Sequence, residues 1–259
     1  MGPHVQQYIA MISTDWNECL APTGPFDPVT FTHPQLGPEL EKIFRLYTAN
    51  KITLAQAIKK LQDLLPEPLT QEQMDAYLDT HFRTYKGVPE FMNWCAENRI
   101  LFMINTTAAI GFFQRVFAKG LLPRVPALSG HPIIHYPHAE TDPSLICRLL
   151  EIDDKPKNTQ QVAQAQGIPS NRIIIIGDSG GDGPHFEWGA SVGAHLVGSM
   201  TKWSLENYCQ ERGIKIHSYF GLQYGKGEAR DPEKEMVIDF FALKGVIKDL
   251  LAFPNKAES

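Results

Sequence analysis

Four consecutive isoleucines, Ile173 to Ile176, followed at once by GDSGGDG, constrain this chain more than any other stretch. A run with neither helical nor alternating period reads as a strand buried on both faces, as in the middle of a parallel sheet. The run stops at glycines and acids, so Asp178 and Asp182 lie where the chain leaves the strand's carboxyl end and enters a helix at Pro184. In an open α/β sheet, ligands bind along that edge.

Two further apolar runs end in polar residues. YIAMIST, Tyr8 to Thr14, leads into Asp15, Trp16, Asn17, Glu18 and Cys19, and ILFMIN, Ile100 to Asn105, leads into Thr106 and Thr107. Pro132 to Tyr136 and Ala194 to Gly198 are expected as shorter strands. Helical spacing is expected through Phe112, Phe113, Val116 and Phe117 up to Gly120, over Pro143 to Leu150, and from Pro156 to Gly167 with Asp154 or Lys155 at its start. It is expected again over Pro184 to Val192, Trp203 to Glu211, and within Glu233 to Ala252. This alternation predicts an α/β fold, a Rossmann-like parallel sheet with helices on both faces.

One segment departs from the alternation. Residues 21 to 38 are rich in proline and glycine and read as a linker, and from Glu39 to about Asn98 the pattern is helical. Leu40, Ile43, Phe44 and Tyr47 recur at helical spacing, as do Leu54, Ala57, Ile58, Leu61 and Leu65, and Thr70 with Gln73 forms a capping box. A further helix is expected to start at Pro89. The predicted organisation is a core of residues 1–20 and 86–259 with a small all-helical insertion over 21–85. Such an insertion is either a structural subdomain or a cap over the site.

Composition removes several function classes. The chain has 259 residues, 20 % of them charged, and a formal net charge of −5, so no basic field for nucleic acid is present. No apolar run approaches a membrane span, and the N-terminus has no signal-peptide pattern, so a cytoplasmic protein is expected. The four cysteines, Cys19, Cys95, Cys147 and Cys209, are far apart and read as reduced thiols, three of them in helical patterns.

Parallel strands align their carboxyl ends, so Asp15, Thr106 or Thr107, Asp178 and Asp182 converge, with Lys155 ahead of the helix that feeds the isoleucine strand. Carboxylates gathered at one point repel unless a cation lies between them. Hard oxygen ligands in that number suit Mg²⁺ together with a substrate phosphate.

With DWNEC after an apolar strand, FMINTT ending another, DDKPK, and GDSGGD, the chain resembles the haloacid dehalogenase superfamily. The likeness is to its phosphoserine-phosphatase-like branch, with a helical cap inserted after the first motif, and covers residues 8 to 200. It implies a Mg²⁺-dependent phosphatase or phosphotransferase acting on a small phosphorylated substrate. Asp15 would be the nucleophile that becomes an aspartyl-phosphate, and Thr106 or Thr107 would bind a phosphoryl oxygen. Lys155, with Lys157 as its alternative, would neutralise charge. Asp15, the carbonyl of Asn17, Asp178 and Asp182 would hold the metal.

Asn17 departs from the pattern, because the family's phosphatases carry there an aspartate that protonates the leaving oxygen and then activates water. Loss of such help costs about 10²- to 10⁴-fold in rate. Cys19, in place of the usual threonine, is a milder departure. Three readings follow: a phosphatase that recruits Glu18 or a cap residue, or is slow; a pseudoenzyme that binds metal and phosphate; or phosphonate or halide chemistry on the same scaffold.

Other residues carry competing readings. GDSGG also surrounds the serine of chymotrypsin-like proteases, but those are all-β chains, which places Ser179 outside that chemistry. His131, His135 and His138 have spacings a zinc site could use, interrupted by two prolines. His185 could approach a substrate or sit in a helix's first turn. Trp16 could wall the pocket or close the strand end, whereas Phe112, Phe113 and Phe117 read as core and Lys59 and Lys60 as a solvated face.

Overall fold

The isoleucine strand, Ile173–Gly177, is buried along its whole length. A computed structural model describes residues 7–48 and 51–252. The absence of a signal pattern rests in part on residues 1–6, which lie outside the described residues.

The chain begins with β1 (Ala10–Thr14), then runs through four helices, α1 (Asp27–Thr32), α2 (Gly37–Thr48), α3 (Leu54–Leu64) and α4 (Gln71–His81). After α5 (Val88–Glu97) come β2 (Ile100–Ala109), α6 (Ile110–Ala118), β3 (Ala127–His131) and β4 (Leu145–Arg148). Then follow α7 (Asp154–Ala165), β5 (Ile173–Gly177), α8 (Gly183–Val192), β6 (His195–Lys202) and α9 (Trp203–Glu211). β7 (Ser218–Tyr224), α10 (Pro232–Met236) and α11 (Leu243–Leu250) complete the fold.

The seven strands form one sheet in the order β4-β3-β2-β1-β5-β6-β7, each neighbouring pair parallel. From β1 the chain builds outward on one side through β4, then returns to lay β5, β6 and β7 on the other. The strand order therefore reverses between β1 and β5, and a crevice opens at their carboxyl ends.

Alternate isoleucines serve opposite faces. Ile174 and Ile176 join Ile12, Phe102 and Ile104 in one apolar cluster, and Ile173 and Ile175 join Met11, Leu101 and Met103 in the other. A strand covered by helices on both sides has no polar face, which is why the run lacks alternation.

The helical stretch packs on the first of these clusters through Leu54, Ile58, Leu61, Met74, Tyr77 and Leu78. Capping boxes start two of its helices, Thr53 with Gln56 for α3 and Thr70 with Gln73 for α4. Arg115 of α6 grips Asp75 of α4 with two hydrogen bonds of 2.8 Å, and the Glu151 carboxylate accepts the Leu54 and Ala55 N–H groups at the start of α3.

Several elements differ from expectation. Pro132 to Tyr136 is a turn and open chain, and the strand is the preceding Ala127–His131. Pro143 to Leu150 is not helical: it contains edge strand β4, so Cys147 lies on a strand. Its apolar residues fit either period, and four residues are too few to separate them. The linker over 21–38 contains α1, the first strand begins at Ala10 and not at Tyr8, and β6 continues past Gly198 to Lys202. β7 was not anticipated at all. The amphipathic helix expected within Glu233 to Ala252 is α11.

Candidate active site

Asp15 is the first residue past β1, and its N–H donates to Ile176 O at 3.0 Å. That bond carries the β1–β5 pairing one residue further and sets Asp15 beside the glycine-acid turn. The Trp16 N–H donates to Asp15 Oδ1 at 2.7 Å, which orients the carboxylate. Asp182 folds back against the end of β5, where its Oδ2 accepts the Asp178 N–H at 3.0 Å.

Lys155, in the first turn of α7, reaches both acids. Its Nζ lies 2.6 Å from Asp182 Oδ1 and 3.3 Å from Asp15 Oδ2, with its side chain 2 % exposed. Burial disfavours its charge, but Asp15 and Asp182 outweigh that and hold the ammonium protonated. Burial likewise opposes the ionised form of Asp182, and Lys155 overcomes it, so the Asp182 pKa is lowered. Lys157, the alternative, is exposed and paired with Asp154. Asn105 holds Lys155 from below: its Nδ2 donates to Lys155 O at 2.9 Å, to Thr159 Oγ1 at 3.0 Å and to Ser13 Oγ at 3.2 Å.

Carboxylate oxygens of Asp15, Asp178 and Asp182 lie within 4.8 Å of one another. Burial pushes Asp178 up to about 7, Lys202 opposes the shift, and Asp182 and Asp15 add to it. Asp15 is raised mainly by burial, against the pull of Lys155. Lys202, at the end of β6, places Nζ 2.7 Å from Asp178 Oδ2 and also pairs with Glu18. Arg230 then joins Glu18 to the buried Glu235. Two ion-pair groups meet at the three aspartates, Lys155 with Asp15 and Asp182 and Lys202 and Arg230 with Asp178, Glu18 and Glu235, and together they hold five carboxylates against three cations, an excess of two negative charges when all are ionised. Oxygen donors around a two-charge deficit fit a divalent hard cation.

The remaining predicted residues differ in reach. Asp15, Asn17, Glu18, Thr107, Lys155, Asp178 and Lys202 line one cleft of about 610 Å³, whose walls also include Phe44 and Tyr47 of α2 and Trp203 and Tyr208 of α9. Thr106 is fully buried beneath it; its hydroxyl lies against Asp15 and accepts the Ala108 N–H at 3.3 Å. The Asn17 side chain donates to Thr23 O at 2.9 Å. Glu18 adopts a left-handed φ of 60°, and its carboxyl lies below its ordinary range because, although burial opposes it, Lys202 and Arg230 dominate.

Other candidates have side chains engaged elsewhere or without a catalytic partner. His185 is buried on Thr159 Oγ1 at 2.9 Å and does not line the cleft, and Trp16 packs edge-on against Phe113 at 5.4 Å. His131 is buried, with its Nδ1 accepting the Ile133 N–H, while His138 faces solvent beside Asp142, so the three histidines form no cluster among the described residues. The parallel sheet has nothing of the two-barrel protease architecture, and Ser179 has no histidine partner among the described hydrogen bonds.

Sequence reading missed Lys202, Arg230 and Asn105. The first has a legible signal, since it ends a strand at the same edge as Asp15 and Asp178, but the strand was ended four residues too soon. Arg230 follows an unanticipated strand, and its place beside Glu18 is purely tertiary.

Comparison with solved structures gives TM-scores of 0.62 and 0.61 to two phosphoserine phosphatases. The first, a phospho-aspartyl intermediate analogue, is 12 % identical, with 93 % of this chain and 99 % of that one covered. The second, a substrate-bound complex, is 13 % identical over 82 % and 92 %. A HAD family hydrolase from Salmonella enterica subsp. enterica serovar Typhi gives 0.61 at 14 % identity, over 94 % and 73 %. Among curated proteins, copper-transporting ATPase 1 of Rhizobium meliloti (strain 1021) is 33 % identical over 97 residues, 36 % of this chain. The match spans 11 % of that protein's length. No family model matches the sequence. Among the described residues no helix is long and apolar enough to cross a membrane.

Proposed function

We propose, from the premise that this chain has the haloacid dehalogenase fold in its phosphoserine-phosphatase-like form, that it is a divalent-cation-dependent phosphatase or phosphotransferase acting on a small phosphorylated substrate through Asp15. The observation that carries the reading is the Lys155 ammonium between Asp15 and Asp182 at 3.3 and 2.6 Å, on the floor of an open cleft.

Asp15 attacks phosphorus through a carboxylate oxygen; the new O–P bond forms as the ester P–O bond breaks, and the leaving oxygen takes a proton from solvent. Lys155 spreads the charge that builds on the phosphoryl oxygens and favours the ionised form of Asp15 against the burial that raises its pKa. Thr107 faces the cleft and is the better-placed hydroxyl for a phosphoryl oxygen, while Thr106 steadies Asp15 from beneath. Asp15, Asp178 and Asp182, with the Asn17 carbonyl, would hold Mg²⁺, which when bound supplies neutralisation of the phosphate's charge. Residues 21–85 act as the cap, on the strength of Pro25, Phe44 and Tyr47 along the cleft wall.

The second half-reaction lacks a base. Asn17 cannot exchange a proton, and Glu18, engaged by Lys202 and Arg230, does not replace it. Hydrolysis of the aspartyl-phosphate is therefore the slow step. The Asn17 bond to Thr23 also favours a second reading, a protein that keeps metal and phosphate without turnover.

The test is a screen of phosphorylated metabolites with and without Mg²⁺, using wild type, Asp15→Asn and Asn17→Asp. Asp15→Asn should abolish turnover, and Asn17→Asp should raise it by about 10²-fold or more. Residual activity unchanged in Asp15→Asn would remove the nucleophile. No activity in any variant, with phosphate and metal still bound, would leave the binding role.

A further inference from the structure

On the reading that a divalent cation binds among Asp15, Asp178 and Asp182, one side chain of this protein already stands on the same anion. Lys202 Nζ is 2.7 Å from Asp178 Oδ2, while Lys155 attends the other two acids. The contact is built in, because the Lys202 N–H also donates to Asp178 O at 2.7 Å and so fixes the base of the side chain. The upper part is less confined: the side chain is 27 % exposed and lines the cleft.

Lys202 also has somewhere to go. Its second partner, Glu18, is held independently by Arg230 Nη1 at 2.5 Å, and Arg230 is anchored on buried Glu235. The ammonium can therefore leave Asp178 and stay paired with Glu18, and Glu18 keeps its place whichever way Lys202 turns. An ammonium and a dication next to one carboxylate repel strongly where water is scarce.

We propose that Lys202 is a resident counter-ion that competes with the divalent cation for Asp178 and thereby sets the affinity of the site. Without metal it neutralises a buried carboxylate that would otherwise repel Asp15 and Asp182. With metal it withdraws toward Glu18. It acts through Asp178 and is a positioning residue.

The experiment is calorimetric titration of the full chain with Mn²⁺ at fixed pH and ionic strength, comparing wild type, Lys202→Met, Lys202→Arg and Asp178→Asn, each checked for wild-type ellipticity. Lys202→Met should bind Mn²⁺ about tenfold or more tightly than wild type, while Lys202→Arg, which keeps the charge, stays within about threefold of it. Asp178→Asn should bind weakly whatever stands at 202. If Lys202→Met does not fold, Lys202→Gln takes its place. Equal or weaker Mn²⁺ binding by the uncharged variant, with a measurable site in wild type, overturns the proposal and leaves the metal-dependent phosphatase reading intact. Absence of Mn²⁺ binding in wild type and the uncharged variant alike overturns both.

Discussion

Gly177 lacks a side chain because Asp182 occupies the space. A Cβ there would stand 2.6 Å from both Cγ and Oδ2 of Asp182, atoms that Lys155 and the Asp178 N–H hold in place. Gly177→Ala should therefore displace Asp182, break the 2.6 Å contact to Lys155, and cost about 2 kcal/mol as an overpacked core substitution does. Urea denaturation measures the cost, and a midpoint equal to wild type would mean that Asp182 has room. Sequence displayed the participants here, Asp15, Lys155, Asp178 and Asp182, because strand ends align in a parallel sheet. It could not display Lys202 on Asp178 or the rotation of Asn17 onto Thr23 O, since neither follows from local pattern. Asn17→Asp is informative for that reason: a carboxylate cannot donate to the Thr23 carbonyl, so it is driven from that position, and the cleft is the polar side available to it.

Among elements, the strongly apolar strands were legible and the short or weakly apolar ones were not. β1 and β5 are apolar runs that end in polar turns, and the apolar run of β2 continues as strand through Thr106 and Thr107 to Ala109, whereas β3 is ALSGH, short and weakly apolar though buried throughout, and every residue of β7 but Tyr224 is half-exposed or exposed. The least legible part is nevertheless tied to the site, because Glu235 of α10 accepts from the Tyr85 and Tyr224 hydroxyls at 2.6 and 2.7 Å and pairs with Arg230, which reaches Glu18. Burial opposes the Glu235 charge, and these donors overcome it, so its pKa is lowered. Glu235→Gln leaves Arg230 without its buried carboxylate and turns one acceptor into a donor facing hydroxyls. A loss of about 3 kcal/mol is expected in chemical denaturation. Because Arg230 is one of the two cations that hold Glu18 in its left-handed conformation, the same variant should loosen the loop after Asp15, visible as faster amide exchange there. Unchanged stability would show that the network contributes no net energy.

For the whole molecule, two-sided burial has a consequence for acid stability. His131 ends β3 in the interior, 7 % exposed, and its Nδ1 accepts the Ile133 N–H at 3.1 Å. Protonation would turn that acceptor into a second donor as well as charge a buried ring, and Glu151 compensates only in part, so its pKa is lowered from 6.5 to about 4. The unfolded chain takes up the proton below pH 6.5 and the folded one does not until about 4, so the stability due to neutral His131 is present above 6.5 and is lost as pH falls through that interval. Carboxylates such as Asp178, raised to about 7, act in the opposite sense, so the overall pH profile mixes both. His131→Asn isolates the histidine, since its amide oxygen can still accept the Ile133 N–H and does not titrate. As pH falls through the interval, wild type should lose stability relative to the variant by about 1 kcal/mol per pH unit, measured by urea denaturation across a pH series. A difference that stays constant would mean that His131 ionises in the folded chain as readily as in the unfolded one, and that the sheet's interior does not exclude its charge.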